Sequence, residues 1–176
     1  DPNSIARNEF KKLIYGNESI LSNNRMGTEN AVNSITIDDL KNYYAKNMAP
    51  SVANFQIVGA ISKKEVTHSL ATLNKKWEAK KVAIPEIKAT NTVASSKIYF
   101  YEVPGAKQSV IRIGYPALAA TDADFYPVQI MNYRLGGGSF ASQLTQQLRE
   151  GKGYTYGINS SFNGAANHGV FIISSG

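Results

Sequence analysis

The residues best suited to bind a substrate lie close together between Leu135 and Gly157, in the stretch LGGGSFASQLTQQLREGKGYTYG. This stretch contains three consecutive glycines, an amphipathic helix pattern, one arginine and two alternating tyrosines. Guanidinium and phenol groups donate hydrogen bonds to carbonyl or carboxylate oxygens. The stretch therefore predicts a substrate-gripping surface where a turn, a helix and a strand follow one another.

Arg149 and Tyr156 are the candidate substrate-binding residues. Arg149 lies near the end of the helix, and Tyr154 and Tyr156 follow on one face of a strand predicted over 154–162, because side chains alternate along a strand. A structural role is also open, with Arg149 balancing the helix dipole and the tyrosines half-buried in a sheet. The residues by themselves favour that structural role.

The glycines Gly136, Gly137 and Gly138 are predicted to form a structural loop. A glycine-rich turn before a helix can hold phosphate, but no GK[ST] ending follows and no predicted strand precedes it. We therefore expect these glycines to supply positive φ angles or a close backbone approach between two packed helices.

No set of side chains in the sequence is spaced to hold a metal ion. Cysteine is absent, and neither His68 nor His168 is followed by His or Glu three or four residues later. No Ser/His/Asp set has an anchoring motif either. We expect no metal, no cofactor and no catalytic residue in this chain.

Composition favours a globular protein without a membrane span. Apolar residues make up 43% of the 176 residues, and no apolar run approaches the roughly 18 residues needed to cross a bilayer. The net charge of +6 is spread along the chain, and its densest patch suits a helix C-terminus better than a nucleic-acid site (Lys75, Lys76, Lys80, Lys81). The compartment is left open by these features, with a periplasmic or secreted location favoured over a cytoplasmic one.

Hydrophobic periodicity and capping residues predict an α+β fold with antiparallel sheets and helices packed on one face. Gly16 is predicted to cap the end of the first helix, and capping boxes are predicted to start two later ones (Thr36 with Asp39, Ser62 with Glu65). The first half is predicted as three helices and a strand (4–15, 36–49, 52–58 as the strand, 62–77). The second half is predicted as ββααββ (strands 97–103, 109–115, 154–162 and 168–174, helices 122–135 and 139–150). Residues 97–103 and 109–115 are predicted to pair as a hairpin. A composition shift near Pro85 predicts two domains, 1–85 and 86–176.

Three segments of the chain resemble the pitrilysin/insulinase-type zinc metallopeptidases, an inverzincin family whose zinc motif is H-x-x-E-H. They are YEVPGAKQSVIRIGYPA, NYRLGGGSFASQLTQQLREGKGYTYGINSSF and, in the first half, TIDDLKNYYAKNMAPSVANFQIVGAISKKEV. The resemblance covers nearly the whole chain. It implies parts of two consecutive metallopeptidase-like domains, of which 1–85 is the later part of one and 86–176 the earlier part of the next.

The resemblance also implies a role for two residues. Family members pair a zinc-carrying domain with a partner whose arginine and tyrosine, seven residues apart, hold the substrate main chain and support the transition state. Arg149 and Tyr156 have that spacing, which favours substrate binding over the structural role. Tyr154 takes a position that is usually aliphatic in the family and receives no such role.

Two departures from the family pattern limit what this chain can do. It has no H-x-x-E-H, so zinc is expected only in a catalytic domain elsewhere. The family's S-R-L element reads Ser142-Gln143-Leu144 here, without the arginine.

The sequence therefore predicts a catalytically incomplete fragment, inactive alone, that contributes peptide binding and transition-state support to a composite proteolytic site. Its predicted partners are a peptide substrate, a catalytic peptidase domain or subunit, and further copies of itself. One alternative is a non-catalytic scaffold or activator subunit, and another is an anion- or nucleic-acid-binding module that uses the lysine-rich helix end.

Overall fold

A computed structural model describes residues 1–85, 87 and 95–176. Their backbone forms two compact units, one that joins Asp1–Met26 to Ile87–Gly176 and one that spans Gly27–Glu86. The predicted domain boundary at Pro85 adjoins residues 86 and 88–94, which lie outside the described residues. That the two halves are parts of two peptidase-like domains stays a prediction.

A three-stranded antiparallel sheet lies at the centre of the first unit. Its strands are β1 (Ile111–Ala117), β2 (Ile158–Gly164) and β3 (Gly169–Ser175), in the order β1-β3-β2. Phe171 of β3 lies opposite Tyr115 and Phe162, with ring centres 5.3 and 4.6 Å away. Phe162 and Phe171 are buried, so the core of this unit lies along β2 and β3.

The described residues also contain six α-helices: α1 (Pro2–Tyr15), α2 (Glu29–Ser34), α3 (Ile37–Asn47), α4 (Lys63–Ser69), α5 (Ala71–Lys76) and α6 (Phe125–Asn132). Short 3-10 turns lie at Ile20–Ser22, Pro50–Val52 and Ser139–Ala141, and π-helical turns at Tyr133–Gly137 and Thr145–Gly151. The α+β class is confirmed.

The helix α1 packs on β1 because Gly114 leaves room for it. A Cβ at Gly114 would lie 2.7 Å from Cζ of Phe10. The side chain of Asp1 caps the start of α1, and Gly16 ends it with a φ of 78°. The predicted helix and its glycine cap are both confirmed.

Capping boxes start two helices of the second unit, α3 and α4. The hydroxyl of Thr36 accepts from the backbone N–H of Asp39, whose carboxylate accepts from Thr36 in return. Ser62 and Glu65 make the same exchange at the start of α4. Both boxes were predicted and are confirmed, but the helix predicted up to Trp77 is divided at Leu70 into α4 and α5.

Two predicted strands are wrong. Residues 52–58 and 97–103 form no strand, since no other described segment pairs with them, and the predicted hairpin between 97–103 and 109–115 does not form. The partner of β1 is instead β3, more than 50 residues later. A strand needs hydrogen bonds from a neighbour, and β-propensity alone does not supply that neighbour.

Candidate functional site

An open cleft of about 500 Å³ lies in the first unit, where the C-terminal end of β3 and the N-terminal end of β2 meet the turns that follow α6. Its lining is largely polar and includes one cation (Asn3, Gly136, Gly137, Ser139, Thr145, Arg149, Gly157, Ile158, Asn159, Ser160, Ser174, Ser175, Gly176). Two of the three glycines and Arg149 thus line one cleft.

Arg149 lies in the π-helical turn Thr145–Gly151, and its side chain is less than one-third exposed. Its Cζ atom lies 4.6 Å from the ring centre of Phe140 and 5.0 Å from that of Tyr156. Its Nε atom is 3.4 Å from Oε1 of Glu150. Both are cation–π contacts, and the terminal nitrogens of the guanidinium are hydrogen-bond donors.

Tyr154 and Tyr156 do not leave on one face of a strand, as the alternation predicted. The strand β2 starts only at Ile158, so both tyrosines lie in the turn before it. The ring of Tyr156 is next to Arg149, whereas Tyr154 lies 5.6 Å from Nζ of Lys152. Both tyrosines are exposed, but Arg149 contacts only one of them.

Thr155 holds the turn between the two tyrosines. Its hydroxyl accepts hydrogen bonds from the backbone N–H of Gly157 (3.1 Å) and from the hydroxyl of Ser175 (2.8 Å). The same oxygen lies 2.9 Å from the carbonyl of Gly157. The start of β2 is thereby tied to the end of β3, which fixes the backbone that bears Tyr156.

The three glycines allow close backbone approach, but not between two helices. A Cβ at Gly136 would lie 2.6 Å from the backbone nitrogen of Ser160, in β2. A Cβ at Gly138 would lie 2.6 Å from the carbonyl oxygen of Tyr133. None of the three adopts positive φ; the left-handed residue here is Ser139, with a φ of 50°. The close approach was expected between two helices. At Gly136 it instead joins a helical turn to the strand β2.

Polar side chains cover the outer edge of β2. Gln129 and Asn132 of α6 donate to the carbonyls of Phe162 (2.7 Å) and Ser160 (2.9 Å). Thr145 donates to the carbonyl of Ile158 at 3.2 Å. No other strand of the described residues pairs with this edge, and these three side chains satisfy alternate carbonyls along it.

Ser142 interrupts the helix that was predicted from Ser139 onward. Its backbone is extended, its side chain is fully buried, and its hydroxyl accepts from the backbone N–H of Thr145 at 3.4 Å. It therefore caps a new helical turn. Phe140 precedes this break, in the first turn of the helix that was predicted over 139–150, and is 61% exposed. The signal for this cap was the serine itself, a preferred N-cap residue.

The two histidines have ordinary surroundings. His68 is exposed in the last turn of α4. His168 lies edge-on to Tyr15, with Nδ1 3.0 Å from Oδ1 of Asn167. Within residues 1–85, 87 and 95–176, no group of three or more potential metal ligands comes together. These residues do not fit a zinc site. No helix of the described residues is long and apolar enough to cross a membrane.

The resolved pKa shifts lie outside the cleft. Hydrogen bonds from the side chain and then the backbone of Thr36 lower the pKa of Asp39, and Ser62 lowers that of Glu65 in the same way. Burial and then the neighbouring charge of Arg7 lower the pKa of Arg112. The lowered pKa values of Asp39 and Glu65 thus reflect the hydrogen bonds that these carboxylates accept as parts of helix caps.

The profile of one protein family, described as the Peptidase M16 inactive domain, matches residues 34–176. Among curated proteins, the chain is 27% identical over 183 residues to an uncharacterized zinc protease of Streptomyces coelicolor, covering all of this chain and 39% of that protein. It is 26% identical over 178 residues to the uncharacterized zinc protease YmxG of Bacillus subtilis, covering 99% and 41%. The chain thus spans about two-fifths of the length of these relatives.

Solved structures agree with this match. The peptidase M16 inactive domain from Pseudomonas fluorescens superposes with a TM-score of 0.84 at 25% identity, over 99% of this chain and 42% of that one. A protease from Helicobacter pylori superposes with a TM-score of 0.71 at 19% identity, over 86% and 37%, and shares the fold. The chain belongs to the family of Peptidase M16 inactive domains, within the pitrilysin-like peptidases.

Proposed function

We propose that this chain is the substrate-contacting, zinc-free part of an M16 peptidase. In this role Arg149 and Tyr156 bind the main chain of an extended peptide and support the transition state of its cleavage. The observation on which the proposal depends is the contact of the Arg149 guanidinium with the Tyr156 ring at the rim of a polar cleft. Membership of the M16 inactive-domain family supports association with a catalytic domain. The roles of Arg149 and Tyr156 are our proposal.

The cleft has the donors that a peptide carbonyl needs. The guanidinium of Arg149 donates in its plane, and the exposed phenol of Tyr156 is a second donor from a neighbouring turn. Two donors that converge on one oxygen stabilise the negative charge that develops there when a carbonyl is attacked. Arg149 and Tyr156 would thus bind the ground state and favour the transition state.

The peptide does not pair with the outer edge of β2 in this proposal. Gln129, Asn132 and Thr145 already occupy the carbonyls of that edge. An added strand would therefore pair with another sheet edge or with the catalytic domain. In this proposal the side chains of this chain donate hydrogen bonds to the peptide main chain. Because main-chain contacts do not depend on the peptide sequence, we expect broad substrate tolerance.

The zinc of the family would come from a separate catalytic domain. Neither histidine of this chain lines the cleft, and the described residues bring no set of ligands together. The reaction is therefore expected only when this chain is joined to that domain. Its own contribution is to orient the peptide and to donate hydrogen bonds.

The test is binding of a fluorescein-labelled unstructured peptide to the intact chain, followed by anisotropy. Arg149→Lys should weaken binding about tenfold, since lysine cannot reproduce the planar pair of donors. Arg134→Lys is the matched control, because Arg134 is exposed in the preceding turn and does not line the cleft. Equal affinities for the two variants would contradict the proposal.

A scaffold or activator subunit is the second candidate. The description of the family as an inactive domain favours it, because such a domain need not touch the peptide. In an assembly with a catalytic domain, a scaffold would be required for activity while Arg149→Ala left kcat/KM unchanged. The first proposal instead expects kcat/KM to fall in that variant.

A further inference from the structure

The guanidinium of Arg149 contacts two aromatic rings, and only one of them has a part in the proposed function. The Phe140 ring centre is the nearer, at 4.6 Å from Cζ against 5.0 Å for Tyr156. Phe140 has no polar side-chain atom, so it cannot donate a hydrogen bond to a peptide or accept one from it. Its place beside Arg149 needs a separate explanation.

The local backbone turns Phe140 toward the arginine. Phe140 follows Ser139, the one residue other than glycine with positive φ among the described residues, within the turn Ser139–Ala141. A left-handed serine is an uncommon conformation that persists where surrounding structure enforces it. Because of this turn, an apolar ring that helical spacing would bury in the core lies 61% exposed next to a cation.

We propose that Phe140 is a positioning residue that holds the Arg149 guanidinium over the cleft. The inference rests on the proposed function, in which Arg149 and Tyr156 bind a peptide. A ring attracts the cation through its face and leaves the N–H edge free to donate. When Tyr156 turns its hydroxyl to the peptide, Phe140 still holds Arg149 in place. An arginine held in advance loses less freedom when the peptide binds.

The first measurement is the NMR resonance of the Arg149 side-chain N–H groups in the intact chain. A proton over an aromatic face is shielded by the ring current, so this resonance should lie upfield of that of exposed Arg134. Phe140→Leu should move it toward the Arg134 position, and Phe140→Trp should keep it upfield. Tyr154→Leu is the matched control, because the Tyr154 ring lies near Lys152 instead.

The second measurement is peptide affinity in a double-mutant cycle. Phe140→Leu should weaken binding about two- to fivefold, the range expected for a lost exposed cation–π contact. Phe140→Trp should restore it. In an Arg149→Lys background, Phe140→Leu should weaken binding by a smaller factor, because the geometry that it maintains is already lost.

The outcomes separate the inference from the proposed function. An Arg149 resonance that does not respond to Phe140→Leu would overturn the inference, whatever the peptide does. Full additivity of the two substitutions in the binding cycle would overturn it too. A resonance that responds as expected, in a chain that binds no peptide at all, would support the Phe140–Arg149 contact and contradict the proposed function.

Discussion

The Cζ atom of Arg149 lies 5.0 Å from the ring centre of Tyr156, which stands seven positions later in the chain. The contact exists because Gly153, with a φ of 64°, reverses the chain after the helical turn and because Thr155 ties the next turn to β3. The two proposed peptide-binding side chains therefore contact each other before any peptide binds.

Tyr156→Phe should impair catalysis without disturbing Arg149. The substitution removes the phenol hydroxyl and keeps the ring that contacts the guanidinium. In an assembly with the catalytic domain, kcat/KM should fall by about 10²–10³, the usual effect of losing one oxyanion donor. Tyr154→Phe is the control and should have no effect. If both variants had the same kcat/KM, the hydroxyl of Tyr156 would have no part in the reaction.

Gly136→Ala should destabilise the fold. The new methyl group would lie 2.6 Å from the backbone nitrogen of Ser160 and 2.8 Å from Cδ1 of Leu144, so backbone must shift. Overpacking of this kind costs about 1–3 kcal/mol in free energy of unfolding, measured by urea denaturation. Gly157→Ala meets nothing within 4 Å and should be nearly neutral. Equal midpoints for the two variants would show that Gly136 is not in this close contact.

The cap at the start of α3 should make stability depend on pH. Because the pKa of Asp39 is lower in the folded chain, its contribution is complete above the unfolded value of about 3.9 and disappears as pH falls through the lowered folded value. Urea midpoints should thus fall in acid, and Asp39→Asn should remove part of that fall. Asp38→Asn keeps the capping box and should show the same fall of the urea midpoint in acid as the unmodified chain. The idea fails if the midpoints of both variants depend on pH in the same way.

Self-association stays a prediction, and the structure suggests where to test it. Ile111, Ile113 and Tyr115 share one face of β1, and each is about half exposed (54%, 56% and 49%). Ile113→Lys should shift the chain toward monomer in sedimentation velocity, because it places a charge in that apolar surface. Asn163→Lys, at an exposed site in β2, should not. A monomeric unmodified chain would contradict the prediction.

Local signals were sufficient for some elements and insufficient for others. Thr36 with Asp39, and Ser62 with Glu65, predicted two helix starts, because a capping box forms among residues three apart. Residues 97–103 have strand composition, yet they form no strand, because strand formation also requires a partner. Nothing in the composition of 109–115 shows that this strand pairs with β3.

The sequence by itself determined the family resemblance, the α+β class, the capped helix starts and the seven-residue spacing of Arg149 and Tyr156, since each depends on residue types and short separations. Only the tertiary structure decided that Tyr156, and not Tyr154, contacts Arg149, and that Phe140 joins them. It also decided that Gly136 faces the strand at Ser160. These contacts depend on the path of the chain through a left-handed serine, a buried cap and a sheet edge. That path forms only when segments distant in the sequence pack together.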